Sequence, residues 1–130
     1  MRNPIACLSI LLASCGGAPR PAAPLFPSQA GVWKLRQSGD LPLSGVPEPI
    51  ARLGVRRAGT AAYEGAGTLQ VETYEMTSSA AALEAEQTWR PVAGTVAFHR
   101  DSYFTVIHWE NAARDSVPEF VREMRKPPSP

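Results

Sequence analysis

The stretch that decides the fold is GTVAFHRDSYFTVIHWE, residues 94–110. In its first arm, the large apolar residues Val96 and Phe98 occupy every second position. The polar residues HRDS follow as a turn. In the second arm, Tyr103–Trp109, large apolar side chains occupy both alternating sets of positions. Alternation on either side of a polar turn predicts a β-hairpin. A second arm that is apolar on both faces is typical of a strand in the interior of a sheet.

A second hairpin is predicted immediately upstream. The segment VRRAGTAAYEG, residues 55–65, is predicted to be extended with a break at Ala58-Gly59, and EGAG, residues 64–67, supplies the turn. The returning strand, residues 67–76, places Leu69, Val71 and Thr73 on one face. Tyr74 and Met76 lie on the other face, so we expect the far end of this strand to be covered on both sides.

Each hairpin is followed by a predicted helix. In TSSAAALEAEQTWRP, residues 77–91, Ser78 or Ser79 is the expected N-cap and Pro91 the limit. Its inward face is expected to consist of small residues that allow close packing on a sheet, with a tryptophan at its end: Ala82, Ala85 and Trp89.

The last helix is predicted in DSVPEFVREMRK, residues 115–126. Ser116-Val117-Pro118-Glu119 has the form of a capping box with proline in the first turn. An apolar stripe at helical spacing follows: Val117, Phe120, Val121 and Met124.

The leading part of the chain is less regular. GVWKL, residues 31–35, is predicted as a short strand, and residues 37–49 as a loop rich in turn residues. PEPIARLG, residues 47–54, fits one or two helical turns that end at Gly54 in a left-handed conformation. The full pattern predicts an α+β fold of order β-β-α-β-β-α, an antiparallel sheet with two helices packed on one face. We expect a single domain over residues 31–126 and a short tail over residues 127–130.

The N-terminus has the layout of a secretory signal peptide. Arg2 supplies a positive charge, and residues 5–13 are apolar or small apart from Ser9. This run is shorter than the roughly 20 residues that cross a hydrocarbon core. It ends in LASCGG, residues 12–17, which resembles the lipobox of bacterial lipoproteins. The alternative interpretations are an ordinary signal peptide with an incidental cysteine and a buried apolar N-terminal segment.

The lipobox resemblance implies cleavage after a signal peptide of residues 1–14 and acyl chains attached at Cys15. Two or three acyl chains give stable anchoring, whereas a single chain is marginal. Gly16 is not an acidic retention residue, and by resemblance to proteobacterial lipoproteins this favours the outer membrane. The proline-rich segment that follows the cysteine predicts a solvated linker over residues 15–30.

The mature part resembles a group of uncharacterised bacterial envelope domains. The shared pattern is YEGAGTLQVETYEMTSSAAALEAEQTWRP, residues 63–91, and the resemblance extends from Tyr63 to Met124. Its motifs look like core and turn positions, so it implies a fold rather than an activity.

Composition limits the functions to be considered. Signal-peptide cleavage removes Arg2 from the 13 basic residues and leaves the rest balanced against 12 acidic ones. A neutral exported chain without a basic surface does not fit nucleic-acid binding. Cleavage also removes Cys7, so the acylated Cys15 would be the only cysteine, and no disulfide or thiol nucleophile is expected. We expect no cofactor.

Two histidines are the only hint of metal chemistry. His99 adjoins the predicted turn of the second hairpin and His108 lies on the opposite arm, so a four-residue turn could bring them together. Joined by Asp101 or Glu110, the pair could bind a metal. No HExxH or comparable spacing supports such a site, and two partly exposed strand histidines are the simpler interpretation.

The aromatic residues suggest a possible binding surface. If Tyr74, Tyr103 or Trp109 lay on an open sheet face, it would form a patch suited to a partner. The alternative is that these side chains complete a small core.

The sequence therefore predicts a membrane-anchored lipoprotein of the cell envelope with a non-catalytic interaction module, whose partner is an envelope protein or a glycan. The alternative is a small hydrolase or metal-binding protein that uses His99 and His108. A third hypothesis is a ligand-binding domain with an apolar groove between the sheet and the helices.

Overall fold

A computed structural model describes residues 24–110 and 114–126. The predictions for Cys15, the signal peptide and the tail concern residues outside these ranges. The strands are β1 Gln29–Ala30, β2 Trp33–Leu41, β3 Val55–Glu64, β4 Thr68–Met76, β5 Thr95–Arg100 and β6 Tyr103–Glu110. The helices are α1 Glu48–Ala51, α2 Ser79–Thr88 and α3 Val117–Arg125, with 3-10 turns at Leu43–Gly45 and Arg114–Ser116. None of the helices within these ranges is long and apolar enough to cross a membrane.

The six strands form one antiparallel sheet in the order β1-β2-β3-β4-β6-β5. Both predicted hairpins are confirmed, and β6 lies between β4 and β5 as its two apolar faces required. The predicted chain order is incomplete, because β1, β2 and the short α1 precede it as a further strand-strand-helix unit.

The turn of the second hairpin is shorter than predicted. Arg100 pairs with Tyr103, which leaves a two-residue loop of Asp101 and Ser102. Asp101 adopts a φ of 52°, a left-handed conformation that aspartate tolerates better than most residues. The strands therefore continue through residues that the sequence assigned to the turn.

The sheet has an apolar cluster on each face, and these two clusters correct the predicted packing. Consecutive residues of one strand, such as Val106 and Ile107, belong to different clusters. One cluster includes Val117 and Phe120 of α3, and the other includes Ala82 of α2. Hence α2 and α3 cover opposite faces, and the prediction of two helices on one face is wrong. The face under α2 is called the α2 face below, and the other the α3 face.

The helix starts differ from each other. The side chain of Ser78 accepts a hydrogen bond from the backbone N–H of Ala81 at 3.0 Å, which confirms it as the N-cap of α2. Ser116 precedes α3 with helical dihedral angles and makes no capping hydrogen bond with its side chain. The predicted capping box is therefore absent, because a 3-10 turn leads into α3 and removes the extended conformation that a cap requires.

The leading part of the chain is more ordered than its composition suggests. β2 runs through Leu41 across residues predicted as loop, since β3 offers it a continuous hydrogen-bonding edge. β3 is likewise unbroken at Ala58-Gly59. The helix before Gly54 is confirmed, and this glycine has a φ of 99°.

The folded part also begins before the predicted boundary at residue 31. Phe26 and Ala30 are buried in the cluster on the α3 face. The hydroxyl of Tyr63 donates a hydrogen bond to the carbonyl of Pro27 at 2.7 Å. Part of the predicted linker over residues 15–30 therefore belongs to the domain, because its apolar side chains close one end of the core.

Candidate functional site

The two histidines do not form a pair. His99 lies opposite Phe104 and His108 lies opposite Thr95, so four residue steps of one strand separate them. Each histidine contacts its own carboxylate: His99 Nδ1 lies 2.5 Å from Glu86 Oε2, and His108 Nε2 lies 3.4 Å from Glu72 Oε1. Within the described residues, no three His, Cys, Asp or Glu side chains are grouped to hold a metal ion.

The three aromatic residues predicted as a possible binding surface are also dispersed. Tyr74 is 1% exposed and lies in the core of the α2 face, where its ring stacks on Phe104. It therefore cannot contribute to an exposed patch. Tyr103 and Trp109 both project toward the α3 face but lie six residues apart on β6, and each is partly buried. They do not form one surface.

A different set of side chains shares an open surface. Five positions lie in one register across the sheet, each paired with the next through neighbouring strands: Gln37, Ala62, Gln70, His108 and Thr95. These positions, called the polar row below, lie on the α2 face at the end that α2 does not cover. Neighbouring strands are about 4.8 Å apart, so the row extends over roughly 20 Å. Gln37 and Gln70 are exposed, and the buried methyl of Ala62 between them makes the surface flat there.

Glu72 fixes the centre of this surface. Its Oε2 accepts a hydrogen bond from the Tyr74 hydroxyl at 2.6 Å, and its Oε1 faces His108 Nε2. Burial raises the pKa of Tyr74 above its ordinary value, and the hydrogen bond to Glu72 and the carboxylate charge raise it further. Tyr74 thus stays protonated and keeps donating to Glu72, whose other carboxylate oxygen lies beside the imidazole ring of His108.

Two grooves lie along the polar row. One, of about 170 Å³, is lined by Gln37, Thr60 and Gln70 among others. The other, of about 380 Å³, is lined by Trp89, Thr95 and His108 among others. The second volume is at the lower end of the range of small-molecule sites. Trp89 Nε1 is buried and has no hydrogen-bond partner among the described residues.

The amide and hydroxyl groups along these grooves can donate and accept hydrogen bonds. The amides of Gln37 and Gln70 each offer donors and an acceptor. The structure gives neither amide a hydrogen bond to another described residue, so both face solvent. Thr60 adds an exposed hydroxyl. Such a set can bind a ligand rich in hydroxyl or amide groups.

Sequence reasoning missed this surface. Gln37 lies in the segment predicted as a loop, and Glu72 belongs to none of the sites predicted from the sequence. The polar row exists because strands that are distant in sequence align in one register, and neither the register nor the order β4-β6 can be read from a single strand. The alternation of Gln70 and Glu72 with apolar residues on β4 was the one available signal.

Comparison of the chain with models of protein families, with curated protein sequences and with solved structures finds no match in any of the three.

Proposed function

We propose that this protein is a bacterial lipoprotein, anchored to a membrane of the cell envelope by acyl chains on Cys15, whose domain is a non-catalytic binding module. The outer membrane is the favoured location where the cell has one. The partner is an envelope protein or a glycan that contacts the polar row.

The lipobox-like sequence LASCGG supports the anchor. Eight residues, and so nine residue steps, separate Cys15 from Pro24, the first described residue. At about 3.3–3.6 Å per residue, this segment spans at most roughly 30 Å. Because Phe26 is already part of the core, the domain would be held close to the membrane that carries the acyl chains.

The observation that carries the binding proposal is the open half of the α2 face. α2 has ten residues and spans about 15 Å, so it covers Tyr74 and Phe104 but not the polar row. Apart from Ala62, the side chains of the row are polar, and the Glu72 carboxylate lies beside His108. A partner that offers hydroxyl or amide groups would satisfy them.

Lipid attachment is tested by metabolic labelling with a clickable fatty acid. Label should appear on the wild-type chain and disappear in Cys15→Ala. Cys7→Ala is the matched control, because Cys7 lies in the same apolar N-terminal segment and would be removed with the signal peptide. Equal labelling of the wild type and Cys15→Ala would contradict the anchor.

The binding surface is tested by photocrosslinking in cells. A photoreactive residue replaces Gln70 in the polar row or, as the control, Gln87, which is exposed on α2. We expect a discrete adduct, identified by mass spectrometry as a protein or a glycan, only at position 70. The Cys15→Ala form of the same variant should lose the adduct. Adducts at both positions, or at neither, would argue against the polar row as the contact surface.

A further inference from the structure

β5 is the last strand of the sheet, and no described strand pairs with its outer edge. The tight loop makes Arg100 and Tyr103 a hydrogen-bonded pair, so every second residue of β5 bonds to β6. The hydrogen bond from the Trp109 N–H to the Gly94 carbonyl, at 3.0 Å, fits this alternation, because Gly94 lies an even number of residues before Arg100. The backbone N–H and C=O groups of Ala97 and His99 therefore point outward.

The opposite edge of the sheet is protected, but β5 is not. β2 is partly covered by β1, has an irregular register between Leu35 and Gln37, and carries Arg36 and Asp40. Short covering strands, bulges and charges are the usual means by which proteins block edge pairing. β5 has the sequence TVAFHR, with no proline and a regular register, and its one arginine, Arg100, directs its guanidinium to the Lys126 carbonyl. Such an edge is a template for a further strand.

We propose that the edge of β5 pairs with β5 of a second copy of this chain, about a two-fold axis beside Phe98. In this antiparallel register, Ala97 lies opposite His99 of the other copy, and Phe98 lies opposite itself. The outward N–H and C=O groups of Ala97 and His99 in both copies then form four hydrogen bonds. A pairing register shifted by two residues toward the N-terminus would need the N–H of Thr95 as a donor. That N–H already donates to the Val92 carbonyl at 3.0 Å, so the register about Phe98 is the favoured one.

The side chains across this register are complementary. On the α2 face, the small Ala97 faces the larger His99 ring of the other copy. On the α3 face, Phe98 lies opposite its own symmetry mate, and in each copy the Arg125 guanidinium lies over the Phe98 ring, 5.6 Å from the centroid. Arg100 lies opposite Val96, so no two charged side chains of β5 itself face each other in this register.

The geometry also suits two anchored chains. A two-fold axis that relates antiparallel edge strands is perpendicular to the sheet, so equivalent faces of the two copies lie on the same side. Phe26 packs on the α3 face, and the chain therefore enters both domains from one side of the joint sheet. This last consideration rests on the proposed lipid anchor, whereas the edge pairing does not.

The test is sedimentation equilibrium of the full-length mature protein in detergent over a range of concentrations, with wild type, Ala97→Pro and Ser38→Pro compared. Proline at position 97 removes an outward N–H and leaves the β5–β6 hydrogen bonds intact. By the same register argument, the backbone N–H of Ser38 points outward at the β2 edge. Ser38→Pro is therefore the matched control. We expect a monomer–dimer equilibrium in wild type and Ser38→Pro. Because two of the four hydrogen bonds are lost, the dissociation constant should be at least about tenfold higher in Ala97→Pro.

A second pair of variants keeps the test decisive if Ala97→Pro fails to fold. Val96→Glu would face Arg100 of the other copy and strengthen the dimer, whereas Val96→Arg would weaken it. The two variants disturb the core similarly, so their difference reports the contact between copies. A monomeric wild type overturns the proposal, as does an equal dissociation constant in both Val96 variants. A monomeric chain that crosslinks in cells from position 97 to another protein would assign the edge to that partner instead.

Discussion

Two buried threonines lie in the middle of the sheet. Thr73 and Thr105 face each other across β4 and β6 and are 2% and 3% exposed. Their hydroxyl oxygens are 3.1 Å apart, so one donates to the other. A buried polar group that is paired costs little, but one left alone has the full penalty of desolvation. The two residues are therefore tolerated as a pair rather than individually.

This pairing makes a prediction at the residue scale. Thr73→Val or Thr105→Val alone should lower the free energy of unfolding by about 1–3 kcal/mol, because each leaves one buried hydroxyl unpaired. The double variant should be close to wild type, because it removes both hydroxyls and keeps the side-chain shape. Urea denaturation of the four proteins measures the coupling. Additive losses in the double variant would show that the hydroxyls act independently.

The two longer helices depend on different interactions at their starts. α2 is rich in alanine, and its buried residues are small, so packing contributes little per residue and its N-cap matters. α3 has a strongly amphipathic sequence, and its Phe120 contacts the rings of Trp33 and Tyr63 edge to face. Tertiary packing, rather than an N-terminal side chain, specifies where α3 begins.

At the element scale, the two serines that precede these helices should differ in effect. Ser78→Ala removes the hydrogen bond to the Ala81 N–H and should cost about 1 kcal/mol of stability. Ser116→Ala is the matched control, because its hydroxyl makes no capping bond, and its cost should be within about 0.5 kcal/mol. Thermal and urea unfolding of both variants measure these costs. An equal loss in the two would mean that Ser116 caps α3 in solution.

For the whole molecule, the sequence predicted the local elements better than their assembly. Alternation in residues 94–110 predicted the hairpin, and small residues predicted the buried side of α2. The same hairpin showed that β6 is apolar on both faces, a pattern that requires a cover on each side. The prediction that both helices pack on one face overlooked this requirement. The polar row could not be predicted, because it depends on which strands are neighbours and in which register.

The two faces of the sheet share one sensitivity, which is to alkaline pH. Tyr63 lies in the core of the α3 face and Tyr74 in that of the α2 face, and burial raises the pKa of each above the ordinary value near 10. In the unfolded chain both tyrosines ionise from about pH 10 upward, while in the folded chain they stay protonated. The folded state therefore keeps its full stability below about pH 10. Above it, the free energy of unfolding falls by up to about 1.4 kcal/mol per pH unit for each tyrosine.

Urea denaturation between neutral pH and about pH 11 measures this slope, and phenolate absorbance reports ionisation. Tyr63→Phe and Tyr74→Phe should each remove about half of the slope, and the double variant most of it. Tyr63→Phe also loses the hydrogen bond to Pro27, so its stability at neutral pH should be lower by about 1 kcal/mol. The slope, and not that offset, is the deciding quantity, because it responds only to ionisation. An unchanged slope in the double variant would show that groups other than Tyr63 and Tyr74 cause the loss of stability at alkaline pH.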